Sequence, residues 1–211
     1  MQETYNELME KVIKGDQNGS RELVQKLLDS GENVKQIIDI ALVPAMDIVG
    51  DRFQNQEFFI PELLVAARAM EGCLTLIQPL LAASDVKPAG VVIIGTVKGD
   101  LHDIGKNIVA AMLKGAGFQI VDLGIDVDPA GFVEAVKQNK PDIVGLSALL
   151  TTTMKSMKDT VAAISSAGLR DSVKIIVGGA PLTQEYADEI GADGYSPDAA
   201  QAVKLAKGLM G

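Results

Sequence analysis

Cysteine, histidine and tryptophan are almost missing from this 211-residue sequence, which contains one cysteine, one histidine and no tryptophan. A single cysteine, Cys73, cannot form a disulfide within the chain, and this agrees with a reducing compartment. Because Cys73 lies in an apolar pattern with helical spacing, we expect a packed thiol and not a nucleophile. The sequence thus offers one imidazole, that of His102, as a metal ligand or a general base.

Positive charge and long apolar runs are also scarce. Lys and Arg number 19 against 28 Asp and Glu, which gives a net charge of −9. This excess of negative charge opposes binding to nucleic acid and to anionic membranes. No apolar run approaches the roughly 20 residues that span a bilayer, and the polar, acidic residues 1–10 do not resemble a signal peptide. We expect a cytoplasmic protein with no nucleic-acid or membrane partner.

The first part of the chain has helical periodicity. From Tyr5 to about Ala83 the apolar residues recur every three or four positions, and breaks in the pattern divide this stretch into four helices. Pro44 lies inside the third helix and is expected to kink it, whereas Pro61 suits the first turn of the fourth. The sequence therefore predicts a four-helix bundle domain over residues 1–84, followed by a linker and hinge over residues 85–90.

An apolar cluster, Phe58 to Ile60, stands at the start of the fourth predicted helix. Such a cluster is typical of a bundle core or of a hydrophobic staple that fixes the entry of the chain into a helix. A role in covering a ligand explains it equally well. The residues alone leave both interpretations open.

After Gly90 the periodicity changes to alternating β-rich and helical segments, which is typical of βαβ units and a parallel sheet. The predicted strands are Val91–Thr96, Phe118–Leu123, Asp142–Ser147, Val173–Val177 and about Ala192–Tyr195. The predicted helices are Gly105–Lys114, Pro129–Gln138, Met154–Ala167, Thr183–Ile190 and Pro197–Met210. Residues 91–211 are thus expected to form a Rossmann-like (flavodoxin-like), doubly wound α/β domain with strand order 2-1-3-4-5.

Three polar or glycine-rich loops follow predicted strands of this sheet. Asp100-x-His102-x-x-Gly105 follows strand 1, the hydroxyl-rich residues 147–153 follow strand 3, and a glycine pair at 178–179 follows strand 4. Open α/β sheets bind ligands at the carboxyl ends of their strands, beside the point where the strand order reverses. Imidazole is a common metal ligand, and a carboxylate such as Asp100 commonly holds its other nitrogen.

With these three features the sequence resembles the cobalamin-binding fold of methionine synthase. It resembles more closely the small corrinoid proteins of methanol, methylamine and methoxy-aromatic methyltransferase systems. The resemblance covers nearly the whole chain, because these proteins also place a four-helix cap before the Rossmann-like domain. The segment from Phe59 to Leu64 looks like part of that cap.

The resemblance implies a corrinoid cofactor bound base-off/His-on, with His102 as the lower axial ligand of cobalt. It also implies that Asp100 and the hydroxyl of Thr153, where methionine synthase has Ser, form a proton relay behind His102. The other positions that it implies in corrinoid binding are Asp103, Ile104, Gly105, Ser147, Leu149, Thr151, Gly178 and Gly179, with Phe59, Leu63 and Met70 from the cap. From the residues alone, Asp103 and Thr151 are equally well explained as helix caps.

The function implied by the resemblance is that of a methyl carrier. Co(I) corrinoid on this chain would accept a methyl group from a donor-specific methyltransferase and pass it to an acceptor methyltransferase that uses tetrahydrofolate or a thiol. A reductive activating protein is implied as a third partner. The chain would then be a non-autonomous component of a methyltransferase system. Methylamine, methanol, methoxy-aromatic and betaine donors all stay open, because donor choice lies in the partner.

Three other interpretations stay open as well. An adenosylcobalamin mutase subunit has the same Asp-x-His-x-x-Gly loop but does not bring the helical cap. A B12-dependent regulatory module that resembles light sensors would have a tryptophan in the cap and a second histidine, and this sequence has neither. A flavodoxin-like binding module without a corrinoid would leave the three loops unexplained.

Overall fold

The computed structural model describes residues 2–81 and 88–211. Residues 85–87 of the predicted linker over 85–90 lie outside these residues, and the role of the linker as a hinge stays a prediction. The described residues divide into two compact units, one formed mainly by residues up to 88 and the other mainly by residues from 89 onward. Within the described ranges, no helix combines the length and the apolar character that crossing a membrane requires.

The first unit is helical, as predicted. Its α-helices are α1 (Gln2–Ile13), α2 (Gln17–Asp29), α3 (Val34–Ile37), α4 (Val43–Gln54) and α5 (Ile60–Leu81). A π-helical turn over Ile38–Leu42 joins α3 to α4, so the third predicted helix is one irregular run. Pro44 is the second residue of α4, directly after this turn. Since proline has no N–H to donate, regular α-helical bonding is interrupted there.

Side-chain burial in this unit decides two of the predictions made from the sequence. Cys73 is fully buried in α5, which confirms the prediction of a packed thiol, and its burial raises the pKa of the thiol. Phe59 and Ile60, by contrast, are 62% and 45% exposed, so the bundle-core interpretation is wrong for both. The reason is their position: Phe59 precedes the first turn of α5, where its N–H donates to Glu62 Oε2 at 2.9 Å. Burial in α5 begins one turn later, at Leu63.

The second unit is an α/β fold with five parallel strands. These are β1 (Val91–Thr96), β2 (Gln119–Asp122), β3 (Ile143–Ser147), β4 (Lys174–Gly178) and β5 (Gly194–Ser196). Its α-helices are α6 (Ile104–Gly115), α7 (Pro129–Asn139), α8 (Met154–Ser166), α9 (Gln184–Ile190) and α10 (Ala199–Met210). The observed strand order, 2-1-3-4-5, confirms the prediction of a doubly wound, Rossmann-like sheet.

Strand register determines where the loops of the second unit lie. Thr96 is paired with Ser147, and Ser147 is paired with Gly178, so β1, β3 and β4 end side by side. The β-branched residues Ile93, Val144 and Ile175 fill the interior beneath this edge and are fully buried. The loops after the three strands therefore leave one edge of the sheet, beside the point where the strand order reverses.

Candidate functional site

Asp100 is the centre of the hydrogen bonds at this edge, and its side chain is fully buried. Its Oδ1 accepts from the N–H of His102 at 3.0 Å and contacts His102 Nδ1 at 2.7 Å. Its Oδ2 accepts from the backbone N–H groups of Leu149 at 2.8 Å and Leu150 at 3.3 Å, and from Thr153 Oγ1 at 2.7 Å. One carboxylate therefore joins the loop after β1 to the loop after β3.

These contacts keep Asp100 ionised. Burial alone would raise its pKa, because a carboxylate loses hydration in the interior. The hydrogen bonds from Thr153, from the backbone of His102 and Leu149 and from the His102 ring outweigh burial and lower the pKa well below its usual range. The site thus contains a negative charge fixed inside the protein at neutral pH.

His102 is held on one side only. An ionised carboxylate can only accept, so its contact with Nδ1 places a proton on that nitrogen and leaves a lone pair on Nε2. The side chain is 51% exposed, whereas Asp100 beside it is not exposed at all. The described residues provide no hydrogen bond to Nε2. Asp100 therefore orients the imidazole through Nδ1 and leaves Nε2 available, which is the arrangement of a metal-binding histidine.

Thr153 holds the second carboxylate oxygen from the residue that precedes α8. It is 6% exposed, and its Oγ1 lies 2.7 Å from Asp100 Oδ2 and 2.8 Å from the carbonyl oxygen of Leu150. A hydroxyl has one proton to donate, and the charged carboxylate is the stronger acceptor. The expected group of Asp100, His102 and Thr153 is thus brought together.

Sequence reasoning missed two further buried polar residues, of which Thr96 bonds to His102 and Lys106 lies in the helix that follows the His102 loop. Thr96, fully buried at the end of β1, donates through Oγ1 to the carbonyl oxygen of His102 at 2.9 Å. Lys106 in the first turn of α6 is almost fully buried, and its ammonium group donates to Asp122 and to Asn107 Oδ1. A hydroxyl at the end of an otherwise apolar strand was the available signal for Thr96; a lysine in an apolar helix was the signal for Lys106.

The glycines of the three loops have different surroundings. A Cβ at Gly179 would lie 1.8 Å from the carbonyl oxygen of Ala148, and the φ angle of Gly179 is +141°, so the chain itself requires glycine there. A Cβ at Gly178 would lie 3.3 Å from the carbonyl oxygen of Ser196. A Cβ at Gly105 would meet no atom of the chain within 4 Å. Gly105 therefore leaves open space beside the His102 loop.

Exposed apolar side chains surround the buried carboxylate. Leu101 and Ile104 are 66% and 74% exposed, and Leu149 and Leu150 are 43% and 42% exposed. Apolar side chains grouped at a surface mark a place where a ligand or partner is bound. An available imidazole nitrogen, open space at Gly105 and an apolar surround suit a large, mainly apolar group that carries a metal ion.

The remaining predicted positions are less closely tied to the network. Asp103 is exposed, and its carbonyl and carboxylate oxygens both accept from Asn107, so it stands at the start of α6. Ser147 is partly exposed at the end of β3, and Thr151 is exposed in the loop beyond. From the helical unit, Leu63 and Met70 are buried and Phe59 is exposed. A ligand contact of these residues stays a prediction.

Comparison with known proteins agrees with this reading of the site. A family model described as a B12 binding domain matches residues 90–204, and a second with the same description matches residues 4–78. A corrinoid protein of Desulfitobacterium hafniense is 40% identical over 98% of this chain and 97% of its own length. The dimethylamine corrinoid protein of Methanosarcina barkeri is 41% identical over 99% and 98%.

One solved structure extends the comparison to a complex. The methanol:cobalamin methyltransferase complex MtaBC of Methanosarcina barkeri contains a chain with a TM-score of 0.89 and 29% identity. The match covers 99% of the present chain and 80% of that chain.

Proposed function

This chain belongs to the B12-binding family that includes the corrinoid proteins, and we propose that it binds a corrinoid and carries a methyl group between methyltransferases. The observation that carries the proposal is the state of His102: Nδ1 is held 2.7 Å from a buried carboxylate, and Nε2 is available. The names of relatives support the methyl-transfer context, since they include a dimethylamine corrinoid protein and a methanol:cobalamin methyltransferase complex.

In this proposal His102 Nε2 is the lower axial ligand of cobalt, and the corrinoid is bound base-off/His-on. When bound, the corrinoid supplies the metal centre that carries the methyl group. Gly105, Ser147, Leu149, Gly178 and Gly179 line the space for the displaced nucleotide tail. Gly105 supports this assignment, because a Cβ there would meet no atom of the chain within 4 Å, whereas a Cβ at Gly178 or Gly179 would approach carbonyl oxygens of the chain itself.

Asp100, Thr153 and Leu149 orient His102 for metal binding. Asp100 fixes the tautomer of His102 by holding the proton on Nδ1, and its negative charge makes Nε2 a better donor to an oxidised metal. Thr153 and the N–H of Leu149 keep the carboxylate in place.

The proposed partners are a donor-specific methyltransferase, an acceptor methyltransferase and a reductive activating protein. The corrinoid-loaded chain alone should therefore leave methylamines, methanol and methoxy-aromatics unchanged, and should demethylate a donor only with its cognate methyltransferase. Turnover of a free donor by this chain alone would contradict the carrier function.

The test is reconstitution with hydroxocobalamin, followed by ultraviolet-visible spectroscopy of wild type and His102→Ala. Wild type should bind and give a base-off/His-on spectrum. The variant should still bind some cobalamin, because the space for the nucleotide tail is unchanged. It should not give the base-off/His-on spectrum. Its free energy of unfolding without cofactor should fall by about 0.5–1.5 kcal/mol, the usual net value of one hydrogen bond, because Asp100 Oδ1 loses the ring N–H but keeps the backbone N–H of residue 102. Absence of binding by wild type would refute the proposal; an unchanged spectrum in the variant would remove His102 from the metal.

A further inference from the structure

Asp126, in the loop between β2 and α7, contacts the loop after β1 at three points. Its Oδ1 accepts from the N–H of Gly99 at 2.8 Å, and its Oδ2 lies 3.2 Å from Lys98 Nζ. Its own N–H donates to the carbonyl oxygen of Asp100 at 3.1 Å. The side chain and the backbone of one residue thus hold both ends of the segment from Gly99 to Asp100.

The backbone conformation at residues 99 and 126 does not explain why residue 126 is an aspartate. Gly99 has a φ of +85° and Asp126 a φ of +54°, both in the left-handed region. Glycine adopts this region most easily, and among other residues Asn and Asp are several-fold enriched there. Conformation alone would thus be best served by glycine at 126. The carboxylate that is present instead accepts the N–H of Gly99.

The attachment of the 126 loop to the sheet does not depend on that carboxylate. The N–H of the next residue, Val127, donates to the carbonyl oxygen of Thr96 at 3.0 Å, and Val127 forms a parallel bridge with Val97. Removal of the Asp126 side chain therefore leaves the loop connected to β1. What is lost is the bond to Gly99 and the ion pair with Lys98.

We propose that Asp126 is a positioning residue for the metal-binding histidine: its carboxylate fixes the backbone at Gly99 and so sets where Asp100 presents its own carboxylate to His102. The proposal rests on the proposed function for the role of His102. Asp100 is then fixed twice, through its backbone by Asp126 and through its side chain by Thr153 and Leu149. Without the Asp126 carboxylate the Gly99 N–H loses its acceptor, although the N–H of residue 126 still donates to the carbonyl oxygen of Asp100. The backbone that leads into Asp100 is then looser, and the contact between Oδ1 and Nδ1 is populated less.

The variants for the test are chosen by backbone conformation. Asp126→Gly removes the carboxylate and suits the positive φ. Asp126→Asn tolerates the same φ and keeps an oxygen that can accept from Gly99. Asp128→Asn is the matched control, because Asp128 is an exposed carboxylate of the same loop whose bond is to Gly131 of α7, at 2.8 Å.

The first measurement is amide hydrogen exchange by NMR on the protein without corrinoid. In Asp126→Gly the Gly99 amide should exchange about three- to tenfold faster, which is the change expected for loss of one hydrogen bond, and the His102 amide should follow. The Val92 amide in β1 should not change, which excludes a general loss of stability. Asp126→Asn should stay within about twofold of wild type, and Asp128→Asn should match wild type.

The second measurement is electron paramagnetic resonance of the protein loaded with cob(II)alamin, where nitrogen coupling reports the fraction with an axial imidazole. This fraction should fall in Asp126→Gly and be restored in Asp126→Asn. Wild-type behaviour of Asp126→Gly in either measurement would overturn the proposal, and so would equal losses in Asp126→Gly and Asp126→Asn. If wild type does not bind cobalamin, the proposed function fails, whereas the exchange result still decides whether Asp126 positions the loop.

Discussion

Strand β1 and residues 98–105, the loop that leads from it into α6, bury opposite kinds of side chain. In β1, Val92 and Ile93 are fully buried. In residues 98–105 the buried side chain is that of Asp100, whereas the apolar Leu101 and Ile104 are 66% and 74% exposed. The strand therefore gains stability by removing apolar surface from water, and residues 98–105 do not.

This difference indicates what the loops are organised around. A buried carboxylate is costly unless its hydrogen bonds are made, and Asp100 accepts five. Those bonds orient His102, but they leave the apolar side chains around it in contact with solvent. Stability of the fold alone would favour burial of the apolar side chains and exposure of the carboxylate. The arrangement makes sense when an external group, in our proposal a corrinoid, covers the apolar side chains and binds the imidazole.

The largest predicted effect is a difference in unfolding free energy between alanine variants of a strand isoleucine and a loop isoleucine. Ile93→Ala should lower the free energy of unfolding by about 2–5 kcal/mol, because a fully buried side chain leaves a cavity. Ile104→Ala should change it by about 0.5 kcal/mol or less, because the side chain is 74% exposed. Urea denaturation of the protein without cofactor measures both values.

Cobalamin affinity should show the reverse order for the same pair. Ile104→Ala should weaken binding, whereas Ile93→Ala should leave the dissociation constant near that of wild type under conditions where the variant is folded. If Ile104→Ala destabilises the ligand-free protein as much as Ile93→Ala does, the contrast between strand and loop is wrong.

Asp100→Asn should have the next largest effect. The amide keeps the size of the side chain but has one acceptor oxygen in place of two, so a buried donor loses its partner. We expect a loss of about 1–3 kcal/mol in unfolding free energy and a loss of about 10–100-fold in axial-ligand affinity or methyl-transfer rate. Denaturation and cobalamin titration measure the two effects. Wild-type values in both would show that the five contacts of Asp100 are not needed.

The sequence predicted the fold and the centre of the site because both depend on local patterns. The change from helical to alternating periodicity near Gly90 indicated the two units and the parallel sheet. Asp100 and His102 are two residues apart in one loop, so their contact could be anticipated. Asp126 could not be found in the same way. The bond from Gly99 to Asp126 joins residues 27 apart, and it depends on backbone angles that no residue pattern reveals.

Thr96→Val should act on His102 through its backbone. Valine preserves the shape of the buried side chain and removes the hydroxyl that donates to the carbonyl oxygen of His102 at 2.9 Å. The loss in unfolding free energy should be about 0.5–1.5 kcal/mol, the usual net value of one hydrogen bond, and the His-on fraction of the loaded protein should fall. Thr96→Ser keeps the hydroxyl and should restore the His-on fraction. A His-on fraction that is normal in Thr96→Val would mean that Asp100 alone orients the ring.

A small effect on stability, with the opposite sign, is expected for Gly105→Ala. The alanine Cβ would meet no atom of the chain within 4 Å, and Gly105 lies in the first turn of α6, so the fold without cofactor should gain about 0.4–1 kcal/mol. Gly208→Ala is the matched control, because Gly208 lies in α10 and is equally free of neighbours. Both variants should raise the melting temperature, but only Gly105→Ala should weaken cobalamin binding, since only its methyl group enters the space assigned to the corrinoid. Equal cobalamin affinity in the two variants would mean that the open space at Gly105 is not part of the site.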